Sequence, residues 1–211
     1  MVTIIDYGAS NIKSVIKAFE HLGVDVLVTN ELDLLKKAEI LVCPGQGAFN
    51  QAIVALKEKG IDGLIKNHIK EGRPFIGICL GFQILFESSD ENGHHEGLGV
   101  FPGHIRRFKL DDPKLKVPHM GWNLIEPTNA DDCYFKNLPN NYVYFVHSYA
   151  LFDLDKSLNG TKTMYGREFI SSISRDNVLA TQFHPEKSGE SGLMILKNFL
   201  DKNGESYANT Y

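Results

Sequence analysis

Over residues 1–90, short apolar runs alternate with stretches whose apolar residues recur at helical spacing. Val2 to Asp6 reads as a strand; Ile12, Val15, Ile16, Phe19 and Leu22 then mark one face of a helix. Ser10 is that helix's expected N-cap and Gly23 its stop. Further strands are expected at Val24 to Val28, Glu39 to Cys43 and Pro74 to Ile78, with helices around Gln51 to Lys59 and Ile61 to Lys70. Strands alternating with amphipathic helices predict βαβ units, hence an α/β fold: an open, mostly parallel sheet flanked by helices. Functional residues in such sheets gather beyond the carboxyl ends of the strands. Asp6, Cys43 to Gly47 and Cys79 stand at those ends.

From Gly97 to Phe183 the pattern changes to short β-rich pieces punctuated by Gly, Asn and Asp. They are Leu98 to Phe108, Lys116 to Ile125, Tyr142 to Tyr149, Met164 to Ser174 and Val178 to Phe183, expected as antiparallel additions to the sheet. A closing helix is expected over Gly192 to Asp201, apolar at Leu193, Leu196 and Leu200, with Ile195 and Phe199 widening the face. The polar tail from Asn203 to Tyr211 is expected to be loosely ordered. Without repeats, low-complexity tracts or a linker, residues 1–211 read as one domain.

Composition narrows the function classes. The chain has 211 residues, 43% hydrophobic and 23% charged, which suits an ordinary globular protein with a full core. A net charge of −4 and the lack of a basic stripe interleaved with aromatics argue against nucleic-acid binding. Arg106-Arg107-Phe108-Lys109 reads as a solvated strand edge. Three widely spaced cysteines, Cys43, Cys79 and Cys133, suit a reducing compartment and no disulfide framework. The N-terminus enters a strand directly, with neither a basic n-region nor a long apolar segment, so a cytoplasmic protein with no membrane partner is expected. Cys43 and Cys133 are expected to have no catalytic role. The adjacent His94 and His95 have no third ligand at metal spacing and read as a solvated loop; no metal and no cofactor is expected.

Two segments bear chemistry. In Arg73-Pro74-Phe75-Ile76-Gly77-Ile78-Cys79-Leu80-Gly81-Phe82-Gln83, a buried strand runs into a cysteine with glycine at both ±2 positions, and a helix is expected to follow. This is a cysteine version of the nucleophile elbow, in which a tight strand-to-helix turn exposes one reactive side chain. The glycines suit the close backbone approach such a turn needs, and a helix N-terminus beneath Cys79 favours thiolate. Taken alone, the same cysteine also fits a small buried hydrophobe. The second segment is Gln182-Phe183-His184-Pro185-Glu186-Lys187-Ser188. Pro185 restricts His184 to an extended conformation, and residues two apart on an extended chain share a side, which brings Glu186 towards His184. A thiol nucleophile needs a base, and the base needs an acceptor that fixes its tautomer. Cys79, His184 and Glu186 fit these roles. Donors for a developing oxyanion are available from the Leu80 N–H and from the glycine-rich turn Pro44-Gly45-Gln46-Gly47.

With these pieces in order, the chain resembles the class I, triad-type glutamine amidotransferases, and among them the glutaminase subunits that serve histidine biosynthesis. The matching segments run from end to end. They are Ile4-Ile5-Asp6-Tyr7-Gly8, Pro44-Gly45-Gln46-Gly47-Ala48-Phe49, the elbow, Val117-Pro118-His119-Met120-Gly121-Trp122-Asn123, Tyr144-Phe145-Val146-His147-Ser148-Tyr149 and the His-Pro-Glu element. The resemblance implies glutamine as substrate, Cys79 as nucleophile, His184 as acid and base, and Glu186 as its orienter. It implies an oxyanion hole from the N–H groups of Leu80 and Gln46, after a flip of the Gly45–Gln46 peptide. Gly47, Gln83, His147, Ser148 and Tyr149 would complete the glutamine pocket. It also implies a (β/α)₈-barrel cyclase partner that receives ammonia and makes imidazole glycerol phosphate, docked on Asn11, His119, Trp122 and Asn123.

Two positions depart from the family pattern. Ser10 stands where a glycine is usual, and Gln46 where a valine is usual. Both lie towards the expected docking face, so an ammonia-supplying role for a different synthase, such as one of surface-sugar biosynthesis, stays open. So do a free-standing Cys-His peptidase or γ-glutamyl hydrolase and a non-catalytic scaffold subunit, although the intact Cys79, His184 and Glu186 set disfavours the last.

Overall fold

The computed structural model describes residues 1–8 and 12–204. Ser10 and Asn11 lie outside the described residues, as does the tail from 205. In chain order the elements begin with β1 (Val2–Ile5), α1 (Ile12–His21), β2 (Val26–Thr29), α2 (Leu32–Leu35) and β3 (Ile40–Cys43). Next come α3 (Phe49–Glu58), α4 (Ile61–Lys70), β4 (Phe75–Ile78) and α5 (Leu80–Gln83). The strands β5 (Ser88–Ser89), β6 (His95–Glu96), β7 (His104–Arg107), β8 (His119–Leu124), β9 (Glu126–Pro127) and β10 (Tyr142–His147) follow. The chain continues with β11 (Tyr149–Leu151), β12 (Asn159–Tyr165), β13 (Arg167–Arg175), β14 (Val178–Thr181) and α6 (Gly189–Asn203).

The centre of the main sheet runs β2-β1-β3-β4-β14, each neighbouring pair parallel. Every residue of β1, β3, β4 and β14 is buried. This is the pattern of a parallel sheet covered on both faces. Successive residues feed opposite layers: Ile5, Leu41, Cys43 and Phe75 join one core cluster, and Ile4, Val42, Ile76 and Ile78 the other. On α1, Val15, Ala18 and Phe19 form the buried stripe, in keeping with its expected periodicity.

Beyond β14 the sheet continues antiparallel through β13 and β11 to β7, and β12 pairs with β13. The antiparallel region differs from expectation in four places, one being that β8 and β10 pair with each other apart from the main sheet instead of extending it. Met164 to Ser174 is two strands, because Gly166 takes a left-handed φ of +68° and turns the chain between them. Leu98 to Phe108 contributes only the four residues of β7. Phe108 is buried, edge-on to Phe152, Tyr165 and Phe169, so the Arg106 to Lys109 stretch is not simply a solvated edge.

A separate two-stranded ribbon, β8 with β10, pairs His119 with His147 and Trp122 with Tyr144. It stands beside the carboxyl ends of β4 and β14 and is tied there by the His184 N–H, which donates to the Tyr144 carbonyl at 2.9 Å. No helix among the described residues is long and apolar enough to cross a membrane.

Candidate active site

Cys79 follows β4 directly and adopts φ 54°, ψ −102°, a conformation non-glycine residues rarely hold unless surrounding structure enforces it. The enforcement is visible. A β-carbon on Gly81 would drive into the Cys43 carbonyl, and one on Gly77 would meet the Gly81 carbonyl at 2.5 Å. The Cys79 N–H is held by the Thr181 carbonyl at 2.7 Å. The helix expected beneath the cysteine is a single turn, α5, because the chain leaves it after Gln83 for the loop to β5.

His184 leaves the end of β14 in an extended conformation, φ −100° and ψ 94°, as the following proline requires. Its Nδ1 lies 2.8 Å from Glu186 Oε1, and both side chains are 2% exposed. The contact does not come from strand alternation: Pro185 to Lys187 form a 3₁₀ turn that folds Glu186 back onto the ring. Burial disfavours the charged imidazole, but attraction to Cys79 and hydrogen bonding to Cys79 and Glu186 outweigh it. They raise the His184 pKa to about 10. Nε2 makes no well-formed hydrogen bond among the described residues, so the ring nitrogen coupled electrostatically to the thiol is not committed elsewhere. Ser188 fixes His184 from behind: its hydroxyl donates to the His184 carbonyl at 2.6 Å and accepts the Tyr144 N–H at 3.0 Å.

A cleft of about 450 Å³ opens over the sulfur. Gln46, Gly47, Cys79, Leu80, Gln83, His147, Ser148 and Tyr149 all line it, with Glu91, Tyr144 and Lys187 among the further walls. Two of these differ from expectation in what they offer. The Leu80 N–H already donates to the Gly45 carbonyl at 3.3 Å, so the donor expected to face an oxyanion is occupied by the neighbouring turn. His147 lines the cleft, yet both ring nitrogens are engaged, Nδ1 with the Tyr149 carbonyl at 2.9 Å and Nε2 with His119 Nδ1 at 3.1 Å. Neither is left for a substrate.

The expected docking residues divide by strand parity. Trp122 points outward and is 56% exposed, which excludes core packing for it. His119 is 2% exposed, stacked between Phe145 and Tyr165, and presents no docking surface. Asn123 turns to the same inner face, donating to His119 Nε2 at 3.2 Å and to the Met164 carbonyl at 3.0 Å. Residues 119 and 123 share a parity opposite to 122, so a ribbon with one covered face cannot present all three together.

Several contributors had no assigned role in the sequence. Gln182 donates to the Cys79 sulfur at 3.7 Å; its position two before His184 was the available signal. Glu91 accepts the Phe49 N–H at 2.7 Å, holding the start of α3 just after the oxyanion turn. The Tyr7 hydroxyl is buried with no hydrogen-bond partner among the described residues and packs so closely on Gly45 that any side chain there would collide with it. Cys43 is fully buried, and burial pushes its thiol up to about 12, in keeping with an inert role. Folding does bring Asp90 and His104 to His94, with ligand atoms within 4.8 Å of one another. The partly exposed contact of His104 Nε2 with Asp90 Oδ1 at 2.8 Å accounts for that arrangement.

The family Glutamine amidotransferase class-I matches residues 3–203. The chain is 46% identical over 205 residues to Imidazole glycerol phosphate synthase subunit HisH of Syntrophotalea carbinolica, covering 95% of this chain and 100% of that one. It is 44% identical over 202 residues to Imidazole glycerol phosphate synthase hisHF, chloroplastic, of Arabidopsis thaliana, covering 95% of this chain and 34% of the plant protein. Among solved structures, a crystal structure of a glutamine amidotransferase superposes with a TM-score of 0.75 at 18% identity, covering 96% of this chain and 98% of that one, and so shares the fold.

Proposed function

The chain belongs to the class-I glutamine amidotransferase family, and on that premise we propose that Cys79, His184 and Glu186 form its catalytic triad. It is a glutaminase that hydrolyses glutamine to glutamate and ammonia, and it serves an imidazole glycerol phosphate synthase in histidine biosynthesis. The observation that most supports the triad is the doubly buried His184–Glu186 contact, with its imidazole coupled to a thiol held in a strained elbow.

The steps follow from the residues. The Cys79 sulfur attacks the side-chain amide carbon of glutamine. The tetrahedral oxyanion then lies where the Leu80 N–H and a rotated Gln46 N–H point. His184, protonated at neutral pH because Cys79 and Glu186 raise its pKa to about 10, gives its proton to the departing nitrogen. Ammonia leaves and a γ-glutamyl thioester remains. His184 next takes a proton from water as its oxygen attacks the thioester carbon; the sulfur departs and glutamate is released. Glu186 holds one tautomer and orientation of the ring throughout.

Ammonia is useful to a synthase only while unprotonated, so its release must be next to a second active site. A partner subunit supplies that site, and we assign it as a (β/α)₈-barrel cyclase docked on the outer face of β8 and β10. Met120, Trp122 and Tyr142 on this ribbon are 62%, 56% and 52% exposed, and Tyr144 and Val146 continue from it into the cleft wall. The plant relative, with two thirds of its length beyond this match, is consistent with both functions on one polypeptide. The identities to synthase subunits favour this role over a surface-sugar synthase.

The test is Cys79→Ala assayed in the complex. Glutamine-dependent synthesis should vanish while the reaction fed with ammonium salt persists. Survival of glutamine-dependent turnover would remove the nucleophile assignment, and free-chain activity on peptides would return the peptidase reading.

A further inference from the structure

One chain of hydrogen bonds runs from the inner face of β8 to the nucleophile. Asn123 Nδ2 donates to His119 Nε2 at 3.2 Å, and His119 Nδ1 meets His147 Nε2 at 3.1 Å. His147 Nδ1 meets the Tyr149 carbonyl at 2.9 Å, and the same carbonyl accepts from Gln83 Nε2 at 3.0 Å. Gln83 Nε2 also donates to Gln182 Oε1 at 2.8 Å, and Gln182 Nε2 donates to the Cys79 sulfur at 3.7 Å.

The protons in this chain can be placed. A carbonyl only accepts, so His147 bears its proton on Nδ1 and accepts at Nε2. His119 must then donate from Nδ1 and accept from the Asn123 amide at Nε2. Asn123 cannot turn over, because its oxygen accepts the Leu124 N–H at 2.8 Å and its second N–H goes to the Met164 carbonyl. Burial holds both imidazoles neutral, with His119 lowered to about 4; His147 is lowered to about 3 by burial, with the neighbouring His119 and His184 adding to it. Gln83 is equally constrained, since its amide nitrogen faces two acceptors. One end of a fully oriented polar network therefore rests on a ribbon with an exposed outer face. The other end aims an N–H at sulfur, where a hydrogen bond favours the charged form.

We propose that Gln182 is a positioning residue that stabilises the Cys79 thiolate, and that His119 and Asn123 set its orientation from β8 through His147, Tyr149 and Gln83. This rests on the reading of Cys79 as nucleophile and adds to it a physical link between the β8–β10 ribbon and thiol reactivity. A displacement of β8 changes the Tyr149 carbonyl's bonding, hence the Gln83 amide, hence the N–H offered to the sulfur.

The test reads the thiol directly in the full chain. Iodoacetamide alkylation of Cys79 is followed against pH by peptide mass spectrometry, which separates it from Cys43 and Cys133. Gln182→Leu should raise the midpoint of the alkylation profile by about one pH unit. Gln182→Met, closer in length, serves as the second variant, with circular dichroism reporting the fold. His119→Phe should shift the midpoint in the same direction by a smaller amount. The His119→Phe/Gln182→Met double variant should shift no further than Gln182→Met alone, because both act through one amide. In the complex, Gln182→Met should lower kcat with KM for glutamine unchanged. A midpoint unmoved in a folded Gln182 variant overturns the proposal. A shift for Gln182 with none for His119 overturns the link to β8. If wild-type Cys79 is alkylated normally, either failure leaves the nucleophile reading standing; an unreactive Cys79 in wild type would sink that reading instead.

Discussion

The Leu80 amide donates to the carbonyl oxygen of Gly45 at 3.3 Å, so the hydrogen-bond donor beside Cys79, the proposed nucleophile, is satisfied by the chain's own turn. An oxyanion must displace that carbonyl, which requires the Gly45–Gln46 peptide to rotate. A missing oxyanion donor lowers turnover by about 10²–10³-fold. The free chain is therefore expected to release ammonia from glutamine at least about 10²-fold more slowly than the complex with its synthase partner. Coupled glutamate detection measures both. Equal rates would mean that the Gly45 carbonyl yields without a partner.

Glu186 acts on His184 through one short contact, and its removal should show in both rate and stability. Glu186→Gln keeps the shape but offers no charge to an imidazolium, so kcat should fall by about 10²–10⁴-fold with a small change in KM. The folded pKa of His184 is raised to about 10 from an ordinary 6.5. Stability from this group is thus fully present below pH 6.5 and lost as pH climbs towards 10. Urea unfolding at intervals across that window should show wild type weakening with rising pH. In Glu186→Gln the slope should be shallower, and an unchanged slope would show that the carboxylate does not hold the proton on the ring.

Gly81 has no room for a side chain, since the Cys43 carbonyl lies where its β-carbon would go. Both partners are buried backbone, Gly81 in α5 and Cys43 at the end of β3, so neither can swing aside. Gly81→Ala should cost about 1–3 kcal/mol or more, a melting temperature lower by about 2–12 °C. Thermal unfolding followed by circular dichroism checks it. Gly63→Ala is the control, because nothing lies within 4 Å of its added β-carbon; it should be neutral or stabilising by up to about 1 kcal/mol.

The parallel half of the fold was legible because its signals are local. A fully buried strand such as Ile40–Cys43 and an amphipathic stripe such as Val15, Ala18 and Phe19 declare themselves by period. The elbow was legible for the same reason, since its glycines stand at fixed offsets from Cys79. The antiparallel half was less so: one glycine, Gly166, divided what read as a single strand. The hydrogen bonds that join the site's second layer were not legible. Gln83 and Gln182 lie 99 residues apart, and His119 meets His147 only through the register of β8 on β10. Parity within β8 was the missed inference: residues 119 and 123 could not face a partner together with 122.

Trp122 provides the sharpest check on the docking surface, because exposure separates its two roles. At 56% exposed and edge-on to Tyr144 at 6.2 Å between ring centroids, it contributes little to the core of the isolated chain. Trp122→Ala should change unfolding free energy by no more than about 0.5 kcal/mol. Large aromatics at the centre of an interface commonly contribute 2 kcal/mol or more to binding, so the same change should weaken the complex with the synthase partner subunit by at least about 30-fold. Titration calorimetry of the two purified subunits measures it, with unfolding run in parallel. Unchanged affinity with unchanged stability would place the docking face away from the β8–β10 ribbon. The cleft over Cys79 would then need another route for ammonia to reach its acceptor.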